Sequence, residues 1–333
     1  MKLHADSSAF SLRSIALASV LGFSFIGFAK AQTPANFPTK PLHVVVPFAP
    51  GAADVFIRAL GPALEAELGQ PIVVENRPGA NGLIGADAVK RGTADGYTLL
   101  FAPVSVVTTR YVKKDVTLDV CKDFSAISTI HESPMVLVAS PNLGVKTVAE
   151  LIDLAKKNPG KLTYASAGIG SIQQLSAETF KRESNTDLVH IPYNGGTVFI
   201  PDLMTGRVDV AFSTLGTLAA QIADKKLVPL AVLGNSTLKD LPGVPSITDT
   251  LPAFQKVAAW SAILAPAGLS EPTQNRLHQV ISKALAHPDI RASFEKNFGV
   301  ALASASPAEV TKLICSESDR LEQLTKEIGI VPN

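Results

Sequence analysis

Residues 164–174 read Tyr-Ala-Ser-Ala-Gly-Ile-Gly-Ser-Ile-Gln-Gln, which is typical of a strand end, a glycine-rich turn and the first turn of a helix. Gly168 and Gly170 permit backbone conformations that a Cβ atom disfavours. Ser171 and Gln174 have the spacing of a capping box. A helix that begins in this way offers unpaired N–H groups to a carboxylate or a phosphate. Taken alone, the stretch is explained more simply as an ordinary capped helix of an α/β domain.

The same succession of buried strand, loop and helix occurs on both sides of this stretch. The other short apolar runs that predict strands of such units are 42–46, 71–75, 97–101, 188–191, 208–212 and 228–233. Repeated units of this kind predict parallel sheets with right-handed crossover connections. The predicted fold class is therefore α/β, with doubly wound, mostly parallel sheets.

Two further apolar runs divide the chain into domains. The run at 135–139 lies where the chain can pass into a second domain, and the run at 257–264 is interpreted as a strand that returns from it. We therefore predict a discontinuous domain 1, formed by 32–134 plus 236–333, and a domain 2 formed by 135–235.

The first 31 residues have the three parts of an export signal. Lys2 and Arg13 supply positive charge, residues 14–29 are apolar, and Ala29-Lys30-Ala31 is a small-residue cleavage site. The apolar run is shorter than the roughly 20 residues that a membrane-spanning helix needs. We predict that 1–31 is a cleaved signal peptide and that the mature protein is periplasmic, without membrane insertion after cleavage.

Charge and composition exclude several classes of partner. The formal net charge of +1 provides no basic surface field for nucleic acid. The six histidines show no spacing typical of a metal site. Cys121 and Cys315 are too few for a disulfide framework, and the sequence leaves open whether they pair in an oxidising compartment. We expect no metal, no cofactor and no nucleic acid.

Glycine- and hydroxyl-rich loops follow most of the predicted strands. Ligands of doubly wound sheets bind at the carboxyl ends of the strands, so these loops would enclose a cleft rich in N–H and O–H donors if the two domains face each other. The predicted ligand-binding residues are Phe48, Pro50, Gly51, Ala52, Asp54, Ala80, Asn81, Ser105, Ser166, Ala167, Gly168, Gly170, Ser171, Gly196, Thr197, Ser213 and Thr214. This lining contains no Lys or Arg and suits a small carboxylate held by backbone amides and hydroxyls.

Signatures of catalysis are weak. Gln173 stands where a dinucleotide-binding fingerprint has its third glycine, and neither Ser166 nor Ser171 lies in a GxSxG nucleophile elbow. The sequence also has no phosphate-binding P-loop. We therefore predict a binding protein with no catalytic residue.

Several motifs together resemble the Bug family, the periplasmic solute receptors of tripartite tricarboxylate transporters. The resemblance covers about 37–330 and rests on these landmarks: Val45-Val46-Pro47-Phe48-Ala49-Pro50-Gly51 with Asp54 and Arg58, Val74-Glu75-Asn76-Arg77-Pro78-Gly79-Ala80, Asp95-Gly96-Tyr97-Thr98-Leu99-Leu100, Asn158-Pro159-Gly160-Lys161-Leu162, Tyr164-Ala165-Ser166-Ala167-Gly168 with Gly170-Ser171, Pro192-Tyr193 with Gly195-Gly196, and Ala265-Pro266-Ala267-Gly268.

The resemblance implies a two-domain, Venus-flytrap binding protein of the periplasmic type II class, acting as a monomer with membrane permease subunits as partners. It implies that the loop 48–54 reaches the ligand largely through ordered waters, and that the loops 166–171 and 195–197 donate hydrogen bonds to a carboxylate. The sequence departs from the family pattern at Ala52 and Ala53, at Gln174 and at Val198-Phe199, which leaves the identity of the carboxylate open. Two other functions stay open: a periplasmic sensor that presents its closed form to a signalling partner, and a secreted hydrolase on the same scaffold.

Overall fold

Two mixed β-sheets, with helices between successive strands, form the framework of the chain. The computed structural model describes residues 37–50, 52–234, 237–297, 299–301, 304–330 and 332. The predicted signal peptide and Gly51 lie outside the described residues, as does the side chain of Ala52.

The strands are β1 (Leu42–Val46), β2 (Ile72–Asn76), β3 (Thr98–Pro103), β4 (Phe124–Ser133), β5 (Met135–Ala139), β6 (Thr163–Ser166), β7 (Val189–Pro192), β8 (Val210–Thr214), β9 (Val228–Val232), β10 (Ala259–Pro266) and β11 (Val300–Ala301). The α-helices are α1 (Ala52–Leu68), α2 (Leu83–Lys90), α3 (Val104–Val112), α4 (Val120–Asp123), α5 (Val148–Lys157), α6 (Ile172–Ser184), α7 (Ile200–Thr205), α8 (Leu215–Ala223), α9 (Glu271–Ala286), α10 (Pro288–Asn297) and α11 (Pro307–Glu327). Short 3₁₀ helices lie at Ala80–Gly82, Pro141–Leu143 and Ile247–Asp249.

The two sheets share an arrangement of five strands, to which the first sheet adds β11 at its edge. The first sheet has the order β11-β4-β10-β3-β1-β2, and the second has the order β7-β6-β8-β5-β9. In the first sheet β1 pairs in parallel with β2 and β3, whereas β10 lies antiparallel between β3 and β4. In the second sheet β6 pairs in parallel with β7 and β8, whereas β5 lies antiparallel between β8 and β9. The fold class was thus predicted correctly, although each sheet is mixed.

Both faces of each sheet are buried, which explains the nearly continuous apolar strands. Val44 and Val45 on β1 are neighbours, so their side chains point to opposite faces, and each belongs to a different hydrophobic cluster. Leu137 and Val138 on β5 divide in the same way between the two clusters of the second sheet. All eight residues of β10 are buried.

Several predicted helix boundaries change in the structure. Asp54 precedes an apolar helical pattern in the sequence and so has the position of an N-cap, but α1 begins at Ala52 and Asp54 lies in the first helical turn, where a negative charge is also stabilised. A proline inside such a pattern commonly kinks or ends a helix, yet α1 continues through Pro62 to Leu68. Residues 102–109 have the character of a loop in the sequence, but they form the end of β3 and most of α3.

Cys121 and Cys315 form a disulfide with a Cα–Cα distance of 5.7 Å, which answers the question that the sequence left open. The bond joins α4 to α11 on one face of the first sheet. All five strands of the second sheet lie between Met135 and Val232. Contacts nevertheless unite Gln32–Asn333 as one unit, so the division into two domains stays a prediction. Within the described residues, none of the helices combines the length and the apolar character needed to cross a membrane.

Candidate ligand-binding site

Two loops and a helix of the first sheet meet at one edge. Because β1, β2 and β3 are parallel, the loops that follow β1 and β2 and the start of α3 after β3 lie at the same edge of the sheet. The Asn76 side chain donates a hydrogen bond to the carbonyl oxygen of Phe48 at 3.0 Å. The Asn81 side chain donates to Thr109 Oγ1 at 2.9 Å. These two bonds join the first loop to the second and the second to α3.

The second of these loops has an unusual backbone. Gly79, Ala80, Asn81 and Gly82 have φ values of 131°, 49°, 55° and 96°. A run of four positive φ values includes one at Ala80, whose Cβ makes this conformation unfavourable. Such strain is concentrated at functional sites, where the surrounding contacts maintain it. Here the Asn81 hydrogen bond to α3 holds the loop.

Asp54 is the one charged residue among the predicted ligand-binding residues. Its Oδ2 accepts a hydrogen bond at 2.9 Å from Arg58 Nε, one helical turn further along α1. Its Oδ1 is buried and has no hydrogen-bond partner among the described residues. Because a buried carboxylate oxygen is costly to leave unpaired, this atom is a candidate acceptor for an ordered water.

In the second sheet, the residues between β6 and α6 form what we call the 166–171 loop. The N–H groups of its glycines and those at the start of α6 differ in whether they have a partner. Gly168 N–H donates to Ser166 Oγ at 3.0 Å, and Gly170 N–H donates to Gln174 Oε1 at 2.7 Å. In contrast, the N–H groups of Ile172 and Gln173, at the start of α6, have no hydrogen-bond partner among the described residues. The free donors thus belong to the first turn of the helix rather than to the two glycines.

The predicted capping box forms only in part. Ser171 is the N-cap of α6 and its Oγ accepts from Gln174 N–H at 3.3 Å. The reciprocal bond shifts by one residue, because the Gln174 side chain accepts from Gly170 N–H instead of from Ser171 N–H. Ser171 N–H is bonded to the carbonyl oxygen of Gly168 at 3.2 Å.

The loop after β7 lies beside the 166–171 loop. Tyr193 N–H donates to the carbonyl oxygen of Ser166 at 3.0 Å, and a Cβ on Gly168 would lie 3.4 Å from the carbonyl oxygen of Tyr193. The Tyr193 hydroxyl donates to Asp202 Oδ2 at 2.9 Å. Burial, followed by this hydrogen bond, raises the pKa of Tyr193 to about 12, so the phenol stays protonated and anchors the loop.

A direct contact joins the edges of the two sheets. Thr108 Oγ1, in α3, donates to the carbonyl oxygen of Gly170 at 2.8 Å. Val112 packs against Gly170 so closely that a Cβ on the glycine would lie 2.2 Å from its Cγ2. Leu175 of α6 belongs to the same hydrophobic cluster as Val104 and Val107 of α3. The N-terminal turn of α6 is therefore placed between the two sheets.

The other predicted ligand-binding residues differ in burial and in their hydrogen-bond partners. Ser105 is half-buried, and its carbonyl oxygen accepts from the hydroxyls of Thr108 and Thr109 within α3. Thr214 Oγ1 is paired with Thr217 Oγ1 at 2.8 Å, and Ser213 Oγ is buried with no partner among the described residues. The contacts described above do not include Pro50, Ala167, Gly196 or Thr197, which are half-buried or exposed.

His190 was missed by sequence reasoning. It lies on β7, and its Nε2 is 2.6 Å from Ser166 Oγ. Its ring stacks on Tyr164, with 4.8 Å between the ring centroids and 11° between the planes. Burial lowers the pKa of His190, an effect that nearby Glu178 opposes and Lys181 reinforces. No local spacing connects His190 to the loop, so only the parallel pairing of β6 with β7 could have indicated the contact.

A family model described as the tripartite tricarboxylate transporter family receptor matches residues 56–330. The chain belongs to this family. The family comprises periplasmic solute-binding receptors, and the match includes most of the site just described.

Curated relatives of the receptor support this assignment along nearly the whole chain. The UPF0065 protein in the tcbD–tcbE intergenic region of Pseudomonas sp. strain P51 is 33% identical over 307 residues, which cover 91% of each chain. Protein BugT of Bordetella pertussis is 31% identical over 322 residues, covering 94% of this chain and 97% of its own. The resemblance to the Bug family is confirmed.

Solved structures of similar receptors confirm the fold. Rpa4515 of R. palustris, determined with adipate, matches with a TM-score of 0.82 and 28% identity over 89% of this chain and 100% of its own. The periplasmic binding protein BugD matches at 0.80 and 27% identity over 89% and 100%. MatC (Rpa3494) of Rhodopseudomonas palustris, with bound malate, matches at 0.77 and 27% identity over 86% and 99%. The α/β fold is thus that of periplasmic binding proteins.

Proposed function

We propose that this receptor binds a small organic carboxylate between its two sheets and delivers it to the membrane permease subunits of a tripartite tricarboxylate-type transporter. The observation that carries the proposal is the two N–H groups without a partner at the start of α6. Ile172 and Gln173 N–H point from a helix N-terminus, have no partner among the described residues, and lie beside the contact between the sheets.

The electrostatics of the site favour a carboxylate held by amides. None of the predicted ligand-binding residues is Lys or Arg, and Arg58 is paired with Asp54. Two adjacent helical N–H groups match the two oxygens of one carboxylate, and the helix dipole favours its negative charge. Asp54 cannot face such a ligand directly without repulsion, so its free Oδ1 is assigned to an ordered water between the protein and the ligand.

The chemistry of similar receptors supports the same ligand class. Rpa4515 was determined with adipate and MatC with malate, which are both dicarboxylic acids. We assign a small carboxylate to this chain on the combination of those ligands with the amide donors of α6.

Closure of two domains around the ligand completes the proposal. In the predicted division, 32–134 plus 236–333 carries the first sheet and 135–235 carries the second. The chain crosses between the sheets at Pro134, between β4 and β5, and again between β9 and β10. A ligand that contacts both edges favours the closed state by its difference in affinity for the two states.

The contact between Ser166 and His190 is of a kind that hydrolases use for catalysis. Ser166 and His190 lie at the separation of a nucleophile and its base. Ser166 is fully buried, however, and its hydroxyl oxygen already accepts from Gly168 N–H. The other ring nitrogen of His190 faces the amide of Gln174 instead of a carboxylate. The pair therefore supports a structural role, and the proposed receptor has no catalytic residue.

A thermal-shift series tests the proposal. Adipate, malate, acidic amino acids and aromatic acids are added separately to the mature protein at neutral pH. A ligand that binds only the folded state raises the unfolding midpoint, so at least one acid is expected to do so in a concentration-dependent way. If none of these acids shifts the midpoint, the proposed ligand class is wrong.

A pair of N-cap variants then tests the position of the site. Ser171→Ala and Thr147→Ala each remove a side-chain N-cap, from α6 and α5 respectively, and each is expected to cost about 1 kcal/mol of stability. Calorimetry with the stabilising acid is expected to give about five- to tenfold weaker binding for Ser171→Ala alone. Equal affinities in the two variants would remove the start of α6 from the site.

A further inference from the structure

The 166–171 loop is held from behind by a chain of hydrogen bonds that passes through His190. His190 Nε2 is 2.6 Å from Ser166 Oγ, and His190 Nδ1 is 3.4 Å from Gln174 Nε2. Ser166 Oγ also accepts from Gly168 N–H, and Gln174 Oε1 accepts from Gly170 N–H. Both glycine N–H groups thus depend on side chains that the imidazole connects.

One backbone group determines which atom donates and which accepts in the hydrogen bonds that lead from Gly170 to Ser166. Gly170 N–H can only donate, so the side-chain atom of Gln174 that it contacts must be the oxygen. The amide nitrogen of Gln174 then faces His190 Nδ1, which must accept and therefore carries no proton. Neutral His190 consequently holds its proton on Nε2 and donates it to Ser166 Oγ.

Ser166 completes the chain. Its Oγ accepts from both His190 and Gly168 N–H, and its own proton is directed at the carbonyl oxygen of Gly168, 3.2 Å away. The four bonds that lead from Gly170 N–H through Gln174, His190 and Ser166 to the carbonyl oxygen of Gly168 therefore run in one sense, an arrangement in which each bond strengthens its neighbours.

We propose that His190 is a positioning residue for ligand binding, because its neutral Nε2–H form fixes the side chains of Ser166 and Gln174 and so the conformation of the 166–171 loop before α6. In this role His190 does not touch the ligand. The effect on ligand affinity rests on the function proposed above, whereas the hydrogen-bond chain itself does not.

Protonation of His190 breaks this arrangement. A proton on Nδ1 would face the amide NH₂ group of Gln174, so that two donors oppose each other. The Gln174 amide can turn its oxygen toward the imidazolium, but its NH₂ group then faces Gly170 N–H, which loses its acceptor. Acid therefore loosens the loop at Gly170, the residue whose carbonyl oxygen is bound by Thr108.

The charged groups around His190 influence the pH at which this happens. Glu178 and Lys181, both on α6, act on the imidazole with opposite sign. Glu178 is itself bound to Lys181 at 3.1 Å and to the Tyr164 hydroxyl at 2.5 Å, which limits its attraction for the imidazolium. Burial is the largest influence and lowers the pKa of His190 below its ordinary value, so the neutral form predominates at pH 7.

An NMR experiment on the ligand-free protein tests the chain directly. Nitrogen-15 spectra of the imidazoles are expected to show the Nε2–H tautomer for His190 at pH 7.5. As the pH is lowered, hydrogen exchange of the Gly170 amide, after correction for its intrinsic pH dependence, is expected to lose protection with the midpoint at which His190 titrates. An Nδ1–H tautomer, or a Gly170 amide that does not respond, overturns the proposal.

Two variants test the consequence for binding. His190→Gln keeps one donor and one acceptor but cannot titrate, whereas His190→Ala removes both. Affinity for adipate and for malate is measured from pH 8 to 5.5. On acidification the wild type is expected to lose about two- to fivefold more affinity than His190→Gln, in which only the acids themselves titrate. His190→Ala is expected to bind more weakly than the wild type already at pH 8. The same acid-dependent loss in His190→Gln as in the wild type would contradict the positioning role.

The two proposals fail in different ways. If neither acid binds and no other acid of the thermal-shift series does, the proposed function fails, while the NMR result still decides whether His190 holds the loop. If an acid binds with an affinity that ignores His190, the receptor function stands and the positioning role is wrong.

Discussion

The hydroxyl of Thr108 donates a hydrogen bond to the carbonyl oxygen of Gly170 at 2.8 Å, across 62 residues of sequence and from one sheet to the other. Thr108 is fully buried, and the same hydroxyl lies 3.0 Å from the carbonyl oxygen of Ser105 within α3. The loop before α6 is thereby attached to the helix that follows β3.

Replacement of Thr108 by Val is expected to destabilise the protein by about 1–3 kcal/mol, because the buried carbonyl oxygen of Gly170 loses its donor while the shape of the side chain is kept. Thr108→Ser retains the hydroxyl and serves as the control. Urea unfolding measures both. Equal free energies of unfolding for Thr108→Val and the wild type would show that the bond contributes nothing to stability.

Gly170→Ala is expected to be more damaging than Gly144→Ala. The two glycines have nearly the same φ, +79° and +76°, so both variants incur the same backbone strain of about 1–2 kcal/mol. A Cβ at Gly144 meets nothing within 4 Å, whereas at Gly170 it would lie 2.2 Å from Val112 Cγ2. The difference between the unfolding free energies of the two variants isolates the steric cost. If this difference is zero, Val112 can move away from the new Cβ without a cost in free energy, and the prediction is wrong.

Loss of the Cys121–Cys315 disulfide is expected to cost about 2–5 kcal/mol, because the bond closes a loop of large sequence separation, 194 residues, in the unfolded chain. Thermal unfolding of the double variant Cys121→Ser/Cys315→Ser should match that of the reduced wild type. The control is the double variant with reductant, whose midpoint should not move. A wild type that is insensitive to reduction would contradict the prediction.

His131 makes the fold sensitive to acid. Its ring packs against Phe56 with 4.2 Å between ring centroids, and its Nδ1 is buried with no hydrogen-bond partner among the described residues. Burial lowers the pKa of His131 to about 4 from an ordinary value of 6.5. The unfolded chain therefore binds this proton first as the pH falls, and stability that is complete above pH 6.5 is lost progressively toward pH 4.

The loss due to His131 is expected to reach about 3 kcal/mol. The free energy of unfolding in urea is measured for the wild type and for His131→Phe between pH 7.5 and 4.5. The difference between the two proteins removes the contribution of the other titrating groups, since both proteins share them. If the two curves of stability against pH are parallel, the His131 prediction is wrong.

The fold could be predicted from sequence because its signals are local. Short apolar runs such as 42–46 are separated by glycine-rich loops and helical patterns, and this alternation has few alternatives to an α/β fold. The helix α3 escaped prediction for a physical reason. It is rich in β-branched residues, including Val106, Val107 and Thr108, which lower helix propensity, and its burial against the first sheet overrides that preference.

The site could be predicted less completely, because its decisive contacts are not local. The carboxyl ends of the strands were identified from topology alone, but the bonds from Thr108 to Gly170 and from His190 to Ser166 span 62 and 24 residues. The sequence indicated donors both at the start of the helix and in the whole 166–171 loop, including Gly168 and Gly170. The side chains of Ser166 and Gln174 occupy those N–H groups, which leaves the N–H groups of Ile172 and Gln173 free.

The strand order of the two sheets limits the order in which they can be completed as the chain is made. All strands of the second sheet are contiguous between Met135 and Val232, so this sheet can form as soon as that segment has emerged. The first sheet lacks the strand between β3 and β4 until Ala259–Pro266 arrives. Until β10 is available, the edges of β3 and β4 that face each other have no strand between them. The strand β10 begins more than a hundred residues after β4 ends. The sheet that begins first in the sequence is thus the last whose strands are all available.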